Sequence, residues 1–200
     1  MSGSSTKSAA TSTSLKAGAF AWEPIGEAGL GWLRFERYED DRGWLSEVFN
    51  QEAAFRFGLH YFGQDNISRT QEPGVVRGLH FQRPPAAQAK LFRVARGRVF
   101  HVAVDLRRSG FGKIYQHTLS DADAAWLYLP AGVAHGFQTL GHDVEAHFKL
   151  SHPHDPASAG AVRYDDPDLA IDWPLPVQER LISARDRAAR PLADCRRIFT

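Results

Sequence analysis

The chain reads as one mainly β domain, either a sandwich or a closed barrel. Three observations predict it. Runs of branched and aromatic residues recur between turn signals at a spacing of roughly 8–12 residues. Helical periodicity is confined to the end of the chain, at about 176–193, where Pro191 limits it. Of the 200 residues, 43% are hydrophobic and 12% aromatic, enough to fill the core of a single domain.

Composition excludes several classes. The net charge is +1 and no basic run tracks a phosphate backbone, so no nucleic-acid partner is implied. The single cysteine, Cys195, excludes a disulfide framework. No apolar run approaches the roughly 18 residues that span a membrane. Lys7 is not followed by an apolar stretch, so a secretory signal is not expected. A cytoplasmic protein without a membrane partner is the expectation.

Residues 1–17 are dominated by Ser, Thr, Ala and Gly, which predicts a disordered tail over 1–17 and one domain over 18–200. From Leu30 short strands are expected. Leu33, Phe35, Trp44, Leu45, Val48 and Phe49 flank a turn at Asp40-Asp41-Arg42-Gly43, where glycine can supply a positive φ. Arg42 and Glu47 lie beside this turn and, taken alone, read as solvated charges. Residues 51–57 fit one or two helical turns. Over 62–68 the chain alternates, so Gln64, Asn66 and Ser68 share a face that meets either solvent or a pocket. Strands then follow at 90–94, 99–104, 115–119, 126–129, 137–140 and 144–150, punctuated by Gly97, Ser109-Gly110, Pro130 and Gly132.

The stretch 77–90 concentrates chemistry. Arg77 is a permanent cation suited to a phosphate. His80 suits proton transfer near neutral pH, and Lys90 suits a developing oxyanion. A polar edge strand with a loop would show the same composition.

Pro130-Ala131-Gly132-Val133-Ala134-His135 resembles the second motif of the cupin barrels, a double-sheet jelly roll. Gly97 falls where the first cupin motif places its glycine. Metal-binding cupins carry His-x-His and a glutamate there. Here the pair is His80-x-Gln82 and the glutamate position is Lys90. An amide is a poor ligand for a transition metal and an ammonium repels one, so no metal is expected and a metal dioxygenase is disfavoured.

The chain also resembles the dTDP-4-dehydrorhamnose 3,5-epimerase family, metal-free cupins, over about residues 30–187. The resemblance is carried by Asp41-Arg42-Gly43, Gln64-Asp65-Asn66, Arg77-Gly78-Leu79-His80, Gln88-Ala89-Lys90, Val104-Asp105-Leu106-Arg107 and His135-Gly136-Phe137. Asp166-Pro167, Ile171-Asp172-Trp173-Pro174 and Ile182-Ser183-Ala184-Arg185-Asp186 complete it. It implies a cupin-type jelly roll with a few short helices, one near the C-terminus. It implies epimerisation of a nucleotide-linked 4-keto-6-deoxyhexose, with a dTDP-linked ketosugar as the substrate. His80 would be the base, Asp186 its acidic partner and Lys90 the stabiliser of the enolate oxygen. Arg42 and Arg77 would hold the pyrophosphate. Glu47, Gln64, Asn66, His135 and Arg185 would line the pocket. No cofactor and a homodimer are implied.

Three positions depart from the family pattern. The general-acid tyrosine position is Phe148, on the apolar face of 144–150, where no hydroxyl can deliver a proton. The base-stacking tyrosine position is His154, and a substrate-contacting glutamate position is Ala159. Beside the double epimerase stand an epimerase acting at one carbon or on a related nucleotide ketosugar, and a non-catalytic nucleotide-sugar-binding protein. Turnover by Phe148→Tyr discriminates them.

Overall fold

In the computed structural model, which describes residues 15–199, fourteen strands alternate with turns in the described chain. In order they are β1 (Leu15–Ala17), β2 (Phe20–Ile25), β3 (Leu30–Phe35), β4 (Tyr38–Asp40), β5 (Gly43–Leu45), helix α1 (Gln51–Arg56), β6 (Gln64–Thr70), β7 (Val76–Gln82), β8 (Lys90–Arg96), β9 (Arg98–Asp105), β10 (Ile114–Ser120), β11 (Ala125–Leu129), β12 (Val133–Thr139), β13 (Val144–Leu150), β14 (Ala159–Ala161) and helix α2 (Ala184–Arg187). One sheet has the order β1-β2-β3-β11-β8-β13-β6 and the other β10-β9-β12-β7-β14. β4 and β5 form a separate hairpin. The pairings between these strands are antiparallel, and the two sheets face each other as a jelly roll.

Alternation decides what lies between the sheets. Phe92, Val94, Leu127, Leu129, Val144 and Ala146 from the first sheet meet Val99, Ala103, Leu119, Val133 and Phe137 from the second. Phe92 is wholly buried, which contributes about 1.5–3 kcal/mol of transfer free energy. The outer face of the second sheet is covered by the C-terminal segment, where Leu79, Phe81, Val104 and Val162 pack with Leu169, Leu192 and Cys195.

Two expectations are corrected. Leu15–Ala17 belong to the fold, because β2 supplies a pairing partner in the register Leu15↔Trp22 to Ala17↔Phe20. The rest of the expected tail, 1–14, lies outside the described residues. The periodicity at 176–193 does not make one helix. It breaks into a 3₁₀ turn at Glu179–Leu181, the four-residue α2 and a 3₁₀ turn at Leu192–Cys195. Ser183 caps α2 by accepting from the Asp186 N–H, and Ile182 and Leu192 are buried against the sheet. Trp44 and Leu45 are exposed on their hairpin.

One irregularity positions the site. His135 pairs with His80, yet Phe137 pairs with Arg77, so β7 carries one extra residue. That bulge puts Arg77 and His80 on the same side, although their spacing in a regular strand would oppose them. Gly78 allows it. Its φ is +133°, and an added Cβ would lie 2.5 Å from Gly136 Cα and 2.8 Å from His135 O.

Candidate active site

Between the sheets opens a cavity of about 870 Å³ lined by Arg77, His80, His135, Phe148, Arg185 and Asp186. A second, of about 530 Å³, shares His80, His135, Phe148 and Arg185 and adds Asn66, Lys90, His154 and Ala159. Together they form one cleft of a size usual for small-molecule sites. Strands β7 and β12 form one wall and β6, β8 and β13 the other. α2 closes one end.

His80 and Asp186, 106 residues apart in sequence, meet at 2.5 Å between Nε2 and Oδ1. Asp186 is buried and also lies 3.4 Å from the Gly78 N–H. Burial pushes its carboxyl up, but the His80 hydrogen bond and charge, the Gly78 N–H and the Ser183 hydroxyl more than offset this, leaving it below the ordinary carboxylate value. An ionised Asp186 holds the proton of His80 on Nε2. Nδ1 is then the bare nitrogen, able to accept a proton.

Lys90 is 8% exposed and has no carboxylate partner among the described residues. Among the described residues its ammonium reaches the His80 carbonyl alone, at 3.5 Å. Burial first, then the Arg185 charge, bring its pKa down to about 7. A buried cation without a counterion is costly for the fold and is suited to meeting negative charge on a ligand.

Phe148 lies between Phe92 and His135, with ring centroids at 5.2 and 6.1 Å. It lines both parts of the cleft, so the expectation that residue 148 faces the interior holds. Phe148 itself carries no hydroxyl. His154 and Ala159 lie at the mouth, over the second cavity.

Gln82, at the position of a cupin metal ligand, is occupied otherwise. Its amide donates to Ala86 O at 2.6 Å and Pro153 O at 3.1 Å, and accepts from the Asp155 N–H at 3.0 Å. Gln88 donates to His152 O at 2.6 Å, and Gln64 accepts from the His154 N–H at 2.8 Å and bonds Asn66. Three glutamines thus pin the segment 152–155 at the rim.

Three of the expected residues do not line the cleft within one chain, and Gln64 is one of them, held at the rim by Asn66 and the His154 N–H. Arg42 sits at the tip of the β4–β5 hairpin, exposed and paired with Asp40. Glu47 is exposed and accepts from Asn50 near α1. One residue was overlooked. His101 on β9 is wholly buried and touches His135 at 3.2 Å. Its signal in sequence is a lone polar residue inside an apolar strand. Asp105 and Asp166, members of motifs in the resemblance, are structural. Asp105 accepts from Arg107 Nε at 2.8 Å, and Asp166 from the Leu192 N–H at 2.7 Å.

The sequence profile of the dTDP-4-dehydrorhamnose 3,5-epimerase family matches residues 28–194. The dTDP-4-dehydrorhamnose 3,5-epimerase of Methanothermobacter thermautotrophicus is 41% identical over 163 residues, covering 80% of this chain and 87% of the relative. Among solved structures, the dTDP-4-dehydrorhamnose 3,5-epimerase of Bacillus anthracis with TDP and PPi bound aligns at a TM-score of 0.80 and 33% identity, over 86% of this chain and 99% of that one. The dTDP-6-deoxy-D-glucose-3,5-epimerase of Legionella pneumophila in complex with dTDP-4-keto-L-rhamnose aligns at 0.79 and 36% identity, over 87% and 93%.

Proposed function

The chain belongs to the dTDP-4-dehydrorhamnose 3,5-epimerase family, and we propose that it inverts carbon centres beside the ketone of a dTDP-linked 4-keto-6-deoxyhexose, with His80 as the base. The ketone at C4 acidifies the C–H bonds at C3 and C5. His80 Nδ1 takes the proton while Asp186 stabilises the imidazolium. The electron pair of the C–H bond becomes the double bond of an enolate, and the Lys90 ammonium balances the charge on its oxygen. Return of a proton to the opposite face inverts the centre. With Phe148 in place of a hydroxyl, water in the cleft delivers that proton. Arg77 and Arg185 hold the diphosphate, and Gln64, Asn66, His135 and His154 contact the sugar and base. The reaction proceeds without a metal or cofactor.

A homodimer is part of this proposal. The β4–β5 hairpin exposes Tyr38, Trp44 and Leu45 together with Arg42. These residues suit a contact with a second copy, in which Arg42 reaches the diphosphate end of the partner's cleft and Glu47 its sugar and nucleotide wall. So is a cytoplasmic location, which the single buried Cys195 fits.

The observation that carries the reading is the His80–Asp186 pair facing an unpaired, buried Lys90. Proton NMR of the protein with dTDP-4-keto-6-deoxyglucose in deuterated water tests it. Deuterium is expected at C3 and C5, and His80→Ala is expected to remove both exchanges. Exchange at the original rate in that variant sinks the assignment of the base. No exchange with the intact protein sinks the ketosugar reading. In the same assay Phe148→Tyr, which restores a proton donor, is expected to raise turnover by about tenfold or more.

A further inference from the structure

Two histidines with no carboxylate partner among the described residues meet next to His80. His101 on β9 and His135 on β12 share a face and lie diagonal to each other, since the register pairs His101 with Phe137 and Ala103 with His135. His101 is wholly buried and His135 is 4% exposed. His101 Nε2 lies 3.2 Å from His135 Nδ1. Phe92 covers both rings, with centroids at 4.8 and 6.0 Å. The remaining nitrogen of His101, Nδ1, is buried with no hydrogen-bond partner among the described residues.

That orphan nitrogen decides the tautomers. One proton lies between the rings. If His135 donated it, His101 would hold its own proton on Nδ1, a buried N–H with nothing to accept it. If His101 donates from Nε2, its Nδ1 is a bare lone pair, which is less costly to bury than an unpaired N–H. His135 then accepts at Nδ1 and carries its proton on Nε2, the nitrogen left for the cleft it lines. The charged or titratable groups facing the pair are Lys90 from β8, His80 from β7 and His117 from β10, none of them an anion. Burial, then Lys90 and the neighbouring histidines, hold His135 well below its ordinary value. Burial, then His117 and Lys90, hold His101 down to about 3. Both rings stay neutral.

We propose that His101 is a positioning residue that holds His135 as a neutral Nε2–H donor, directed at the sugar oxygen on which enolate charge develops. The proposal rests on the epimerase reading. His135 is the register partner of His80, so donor and base stand side by side on one wall. In the enolisation the C–H proton goes to His80, the C–H electron pair forms the carbon–carbon double bond, and the carbonyl π pair moves to oxygen. His135 lends that oxygen a hydrogen bond and keeps its own proton, because a neutral imidazole is too weak an acid to release it. A cationic His135 would instead repel the proton that His80 must take up.

Long-range proton–nitrogen correlation spectra of the full chain, labelled with ¹⁵N at histidine, test this directly. His101→Phe and His135→Gln assign the peaks. His135 is expected to be protonated on Nε2 and to remain neutral across about pH 5–9. A proton on Nδ1, or a titration inside that range, overturns the proposal. These spectra need no substrate, so this inference and the epimerase reading fail separately. His101→Phe preserves a ring against Phe92 and removes the donor. Its kcat is expected to fall on the order of tenfold with KM little changed, and in its spectra the His135 proton is expected no longer to be confined to Nε2. An unchanged kcat together with an unchanged His135 tautomer overturns the proposal. If that variant does not fold, the spectra of the unmodified protein decide.

Discussion

At the scale of the residue, Lys90 shows what the site costs the fold. Its pKa of about 7 in the folded chain lies far below the 10.5 of a free lysine. Between those values the unfolded chain binds more protons than the folded one, so stability rises with pH across that window. Below about pH 7 the ammonium is charged inside the barrel and its burial is fully unfavourable. Lys90→Met is therefore expected to stabilise the protein by ~2 kcal/mol at pH 6, or roughly 4–8 °C in melting temperature. The same change is expected to lower deuterium exchange by about 10²–10³-fold, since no cation then meets the enolate. A lower melting temperature, read by circular dichroism, would show that the ammonium has a stabilising partner. In the unmodified enzyme, kcat/KM is expected to fall as pH rises through about 7 and Lys90 loses its proton. The residue types of the stretch 77–90 pointed to His80 and Lys90, the family resemblance pointed to Asp186, and the fold brings the three together. His101 was not legible in sequence, because only the register of β9 against β12 brings it to His135.

At the scale of the element, the bulge in β7 turns Arg77 and His80 to one side and makes the strand a wall of the cleft. Gly78→Ala would place a Cβ against Gly136 Cα and the His135 carbonyl in a backbone region that side chains rarely adopt. It is expected to destabilise the fold by roughly 2 kcal/mol or more, measured by urea denaturation. It should also lower exchange, because His80 and Arg77 would no longer share a side. A stability within about 0.5 kcal/mol of the unmodified protein would show that β7 can relax there. Strands β8 to β11 and β13 were readable because their alternation and turn residues agree with their tertiary role, whereas β12 begins at Val133, four residues before the strand expected at 137–140. β1 was hidden, because Leu15-Lys16-Ala17 is ordered only by pairing with β2. The 176–193 segment looked helical because Val177, Leu181, Ile182 and Leu192 are spaced for it. In the fold, buried Ile182 and Leu192 anchor separate short turns against the second sheet.

At the scale of the whole molecule, Arg42 and Glu47 stand outside the cleft of their own chain, and the proposed homodimer would bring them to the partner's. Sedimentation is expected to give twice the mass of the 22.3 kDa chain. Leu45→Glu, on a side chain 73% exposed, is expected to shift the protein towards the monomer and weaken dTDP binding about tenfold. A monomer in the unmodified protein would leave Arg42 without a ligand to hold. The pinned rim has a further kinetic consequence. Gln64, Gln82 and Gln88 hold segment 152–155 in place before any ligand arrives. The cleft is therefore preorganised, and little ordering entropy is lost when a nucleotide enters. Discrimination among related nucleotide sugars then resides in their residence times, with all of them captured at similar speed.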